Sequence, residues 1–189
     1  MKLSEHKDLK QEILALPPKE KDKLLLRLIA KDKILTEHLH FTLLEDESHL
    51  RDRVEEIKAL IVSTMERLKS ERKENPKDIL INLRKLAKAV NHNLKVTKAN
   101  FEDVELRIFL FNQTTTTFKS GLFSSYKNYE HLFWTYFIKS TLVTLRKFYK
   151  LHEDLQFDLR AGMNKLLLKI EQGDKMGMAR EMGLPQEII

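Results

Sequence analysis

The chain has 189 residues, 42% of them hydrophobic and 33% charged, with no cysteine and a formal net charge of +6. That mix fits a soluble folded protein and excludes disulfides, thiolate zinc sites, iron–sulfur clusters and thiol nucleophiles. Five glycines and four prolines are few for this length, so tight turns are scarce and long helices are favoured.

Leu9, Ile13, Leu14 and Leu16 form a short apolar stripe that stops at Pro17-Pro18, where the first proline ends one helix and the second opens the next. The next helix is predicted from Pro18 to Ala30, with Leu24, Leu25, Leu28 and Ile29 inward and Lys19, Glu20, Lys23 and Arg27 in water. A third follows with Ile34, Leu35, Leu39 and Leu43 inward. Helices this short depend on tertiary packing. The residues before them lack the apolar core of a secretory signal, so the expected location is the cytoplasm.

Glu45-Asp46-Glu47, with Ser48 as a potential N-cap, precedes a longer periodic segment. Leu50, Val54, Ile57, Leu60, Ile61, Thr64, Met65 and Leu68 trace one stripe through it and predict a helix to Lys73, whose last turns hold cations as the helix dipole favours. Asn75-Pro76 opens the following helix, which buries Ile79, Leu80, Leu83, Leu86, Ala87, Val90 and Leu94. Asn91-His92-Asn93 suggests fraying near its end, and Thr97 or Asn100 is the candidate cap for what comes next.

Residues 104–118 admit two readings. Phe101, Val104, Ile108 and Phe111 fit a helix, whereas Val104, Leu106 and Ile108 alternate like a strand and Thr114 to Thr117 is β-branched, as in one arm of a small hairpin. Helix is preferred, because no other segment offers a sheet to join. Gly121 closes this region.

Ser124 to Leu151 is expected to be the helix around which the others gather. Tyr126, Tyr129, Leu132, Phe133, Tyr136, Phe137, Val143, Thr144, Phe148 and Leu151 share one broad face, and Trp134, Ile138, Leu142 and Leu145 a second, leaving a narrow polar strip of Asn128, Thr135, Lys139 and Arg146. After it, Leu155, Leu159, Met163, Leu166, Leu167 and Ile170 predict a further helix, with Gly162 placed for close approach of another backbone.

The expected fold is therefore all-α: one domain, 1–189, either an irregular helical bundle or a short stack of helix pairs around a long buried helix at 124–151. Short helices occupy 1–46, two long amphipathic helices with a basic surface 48–95, aromatic-rich core helices 97–172, and a frayed tail 173–189.

Charge is uneven, with 13 basic and 7 acidic residues in 51–100 and slightly acidic ends. On the 77–95 helix, Lys77, Arg84, Lys88 and Lys95 project within about 40° of one another, with Lys85 and His92 beside them and Ile81 among them. Such a row suits a phosphate backbone or an acidic partner, or is a solvated face. His131, on the second face of the 124–151 helix, and Trp134 suggest an aromatic pocket, against the plainer reading of a packed core. Glu45 and His49 are four apart but straddle the cap at Ser48, so they make no metal site. No run approaches the roughly 18 apolar residues of a membrane span, and the chain has no Gly-rich phosphate loop, Gly-x-Ser-x-Gly elbow or His-Glu-x-x-His run.

The leading expectation is a non-catalytic interaction or scaffold protein that holds a macromolecular partner, a protein, on a helical surface, with no cofactor and no metal. The alternatives are a nucleic-acid binder using the basic row, and an enzyme or small-ligand carrier with a pocket beside His131 and Trp134.

Overall fold

The computed structural model describes residues 5–118 and 124–188, the side chains of 124–127 excepted. Gly121 lies outside the described residues, and so does the side chain of Tyr126. The described residues form helices and no strand: α1 (Lys7–Ala15), α2 (Pro18–Ile29), α3 (Lys33–Leu44), α4 (Glu47–Ser70), α5 (Pro76–Thr97), α6 (Asn100–Gln113), α7 (Ser124–Phe148), α8 (Glu153–Gln172) and α9 (Met176–Glu181). Among them, no helix is long and apolar enough to cross a membrane. The contacts divide the chain between Asp46 and Glu47 into two compact units.

The first unit holds α1 to α3. Pro18 stands at the first position of α2, as the double proline predicts. Asp32 accepts a hydrogen bond from the Leu35 amide and so caps α3, while the Thr36 hydroxyl donates to the Ile29 carbonyl and ties the end of α2 to α3. No described residue of this unit is buried, and Leu14, Leu25, Leu26, Leu28, Leu43 and Leu44 are exposed. The predicted inward faces of α2 and α3 are thus only partly covered.

In the second unit the hub is α6. It packs against α4, α5, α7 and α8, and buries Val104, Leu106, Ile108, Leu110 and Phe111. The segment with two readings is a helix to Gln113, and 114–118 forms no strand. The expectation that α7 is the helix swallowed by its neighbours is corrected on two points. It ends at Phe148, and Leu132 and Val143 on its broad face are exposed, because α5, α6 and α8 cover only part of its circumference. Phe133, Trp134, Phe137, Ile138, Leu145 and Phe148 are buried as the pattern predicts. Each fully buried side chain of this size contributes about 1.5–3 kcal/mol of burial free energy.

Local chemistry sets the remaining boundaries. α4 starts at Glu47, so Ser48 lies inside its first turn; it ends at Ser70, where Arg72 takes a left-handed conformation (φ 54°) and the Lys73 amide donates back to the Leu68 carbonyl. Val54, Ile61 and Leu68 are its buried line, and Leu60, at the edge of the predicted stripe, is exposed. α5 does not fray at Asn91-His92-Asn93: Asn93 and Val96 are buried, and the helix runs to Thr97. Neither Thr97 nor Asn100 caps α6, whose N-cap position is Ala99 with no side-chain hydrogen bond. Nor is the tail frayed. Ala179, Leu184 and Ile188 are buried, and Asn164 exchanges hydrogen bonds with the backbone of Ile188.

Two glycines fix how closely the helices approach. A β-carbon on Gly162 would lie 2.9 Å from Ile108 Cγ2, which confirms the expected close approach of α8 to α6. One on Gly173 would lie 2.3 Å from the Trp134 ring. The far end of α6 is closed from α8, where Lys169 Nζ donates to the Asn112 carbonyl at 2.7 Å and the Asn112 amide donates to the Gly162 carbonyl at 2.9 Å.

Gly173→Ala should destabilise the protein by about 1–3 kcal/mol through overpacking against Trp134, whereas Gly177→Ala, with nothing within 4 Å, should be neutral or slightly stabilising. Urea unfolding of the two variants decides this, and equal midpoints would refute it. Burial, reinforced by nearby Lys165, pushes Lys169 down to about 8 from the usual 10.5. The unfolded chain therefore holds this proton across pH 8 to 10.5 while the folded chain releases it, and stability rises with pH in that window. Wild type should gain on Lys169→Met between pH 7.5 and 9.5 in unfolding free energy; a constant difference would exclude this coupling.

A cationic surface on α5 and α7

Helices α5 and α7 run side by side in the same direction. Lys77 sits over the Tyr129 ring at 5.4 Å from its centroid, and Arg84 sits over Tyr136 at 5.2 Å, one heptad further along both helices. Each such pair is worth about 0.5–1 kcal/mol at an exposed site. The repeat also pins the register of the two helices. Together they carry nine basic residues against two acidic ones, Asp78 and Glu130. Asp78 is engaged at the start of α5, its carboxylate accepting from the Asn75 amide, and Glu130 lies 4.0 Å from Lys175.

The structure places Lys77, Arg84, Lys88 and Lys95 all at the surface of α5, in the single row that the spacing predicts, with Ile81 exposed among them. It does not bring His131 and Trp134 together in a site. His131 is exposed, contrary to the partial burial expected for it, because the α7 surface at that turn is open. Trp134 is buried, edge-on to Phe133 and Phe137, with Gly173 against its ring. Its role is packing.

Beside the row, α5 and α7 part over α6 and leave a groove of about 370 Å³. Its floor is formed by Arg107 and Phe111 of α6, and its walls include Ala87 and Asn91 of α5 and Tyr136, Lys139, Val143 and Lys147 of α7. Below the floor lies Asp103, only 2% exposed. Arg107 Nε donates to both Asp103 oxygens at 3.0 and 2.9 Å, and Lys147 Nζ donates to one of them at 2.6 Å. A second Arg107 nitrogen donates to the Asn91 side-chain oxygen. One buried carboxylate is thus shared by two cations, which leaves a positive surplus where water screens it poorly. The first turn of α6, where Asp103 sits, also favours a negative charge.

Sequence reasoning singled out the outer row but not Asn91, Arg107, Lys139 or Lys147 as one group. Asp103 and Arg107 did carry a signal, an acid and a base four apart on a helix. Lys147 comes from 44 residues away and gave none. Elsewhere, Lys58 bridges α4 to Glu105 of α6 at 2.8 Å; burial alone would lower its pKa, and the Glu105 and Glu55 carboxylates outweigh that and raise it. Glu45 accepts from His40 and precedes α4, whereas His49 lies within it, and among the described residues no three His, Asp or Glu side chains are grouped to hold a metal ion.

No family model matches the chain, and no curated protein or solved structure matches it.

Asp103→Ala should cost about 3–5 kcal/mol, because it strands two cations on one buried spot, while Lys147→Ala, at a third exposed, should cost about 1 kcal/mol or less. Chemical denaturation of both variants checks the order, and a loss below that of Lys147→Ala for the aspartate variant would show that the cluster is not held by its carboxylate.

Proposed function

We propose that this protein is a non-catalytic interaction module that holds an acidic macromolecular partner along α5 and α7. The observation that carries the reading is the charge of that surface: nine basic against two acidic residues on two helices whose register is fixed, with four of the cations exposed in one row. A one-signed field of this kind raises the encounter rate with an opposite charge and orients it on arrival. Two rows of cations on parallel helices define a strip, which suits an elongated partner.

The second reading, a nucleic-acid backbone on the same row, draws support from the two tyrosines beside Lys77 and Arg84, since rings and cations together hold single strands. Against it, the face of each ring that meets the row is already covered by its own cation, and both rings are half-buried. A protein partner is therefore favoured. Nothing supports the pocket reading at His131 and Trp134, given the packing of the tryptophan.

Replacing Lys77, Arg84, Lys88 and Lys95 together by Glu should leave the melting temperature within a few degrees, since all four are exposed. It should abolish salt-sensitive retention on immobilised poly-L-glutamate. Failure of the unmodified protein to be retained at low salt would remove the reading.

A further inference from the structure

We propose that the groove over Arg107 and Lys147 is the anchor point of this surface, and that it takes an acidic amphipathic helix of a partner protein. The inference rests on the reading of α5 and α7 as a docking face and adds to it where the partner is gripped and what kind of segment it presents.

The floor is prepared for a carboxylate. Arg107 is 7% exposed, and Asp103 and Asn91 hold its guanidinium in place, so it cannot swing out to follow a backbone on the surface. Together with Lys147 it has one carboxylate for two positive charges. A second carboxylate entering from above would meet a fixed cation in a poorly screened site, where a charge-assisted hydrogen bond is strongest. Lys139 stands exposed at the rim.

The walls ask for something else as well. Phe111, Tyr136 and Val143 line the groove, and Val143 is 44% exposed, so apolar surface there is left in water. A phosphodiester strand offers nothing to cover it, whereas a leucine one turn away from a glutamate does. Because α5 and α7 are parallel, the groove runs along their axes, and a third helix laid in it would place anchors at three-, four- and seven-residue spacing. The basic row from Lys77 to Lys95 spans about 27 Å at 1.5 Å per residue, so a helix of about 18 residues would meet all of it. An occupant with acidic and apolar side chains alternating by turns along one face satisfies charge and walls together.

The test uses the full chain and a labelled synthetic peptide of about 18 residues with Glu and Leu one turn apart, a scrambled peptide of the same composition, and a single-stranded oligonucleotide, with binding read by fluorescence anisotropy at low salt. The ordered peptide should bind about tenfold or more tightly than the scrambled one. Val143→Glu and Lys139→Glu, both at exposed positions where folding is preserved, should each remove most of that preference. Lys77→Glu with Lys95→Glu should weaken both peptides alike. Equal affinity for the two peptides, or no effect of Val143→Glu while the row variants still weaken binding, overturns the groove and leaves the charged face standing. Tighter binding of the oligonucleotide than of the ordered peptide overturns it in favour of nucleic acid. No binding of any probe overturns both the groove and the reading on which it rests.

Discussion

Helix α6 occupies the middle of the second unit while carrying Asp103, Glu105 and Arg107, and that is possible only because its neighbours neutralise it. Arg107 and Lys147 satisfy Asp103, Lys58 reaches Glu105 from α4, and Lys169 caps the last carbonyls from α8. A buried charge left alone would cost several kcal/mol, so these links constrain where α4, α7 and α8 can sit. Apolar packing supplies the driving force, and the polar links give the arrangement its specificity.

The exposed features of α5 and α7 follow from that constraint. Lys147 must reach Asp103 and Phe137 must meet Phe111, so α7 lies over α6 with its Lys139 and Val143 turned toward α5 and away from the core. Lys77 and Arg84 then fall on the rings of Tyr129 and Tyr136. The groove is where the side chains between these contacts are too small to close the gap: Ala87 on one wall and Ser140 on the other. The surface that the proposed function uses is thus a by-product of how a charged helix was made central.

The first unit obeys a different balance. Its helices are started and stopped by local signals, the double proline and the Asp32 cap, yet none of its described side chains is buried. Local signals place helix ends without requiring a core. Leu25, Leu28 and Leu43 were expected inward on periodicity alone, and periodicity reports which face is apolar, not whether anything covers it.

That distinction runs through the whole chain. Residues near one another in sequence settled the helical class, the ends of α2 and α5 at their prolines, the buried face of α5 from Ile79 to Val90, and the surface row from Lys77 to Lys95, because a period of 3.6 and a capping hydrogen bond are local matters. Which helix sits at the centre was not written there. Asp103 and Arg107 make α6 look too polar for a core, and the lysine that makes its burial tolerable lies 44 residues on. Likewise Gly173 reads as a loose tail until Trp134 is found against it, and His131 reads as half-buried until α7 proves open on that side. Only the tertiary structure could decide these points, because compensation of a buried charge and contact across helices are pairings between distant residues, and periodicity along one segment does not encode its partner.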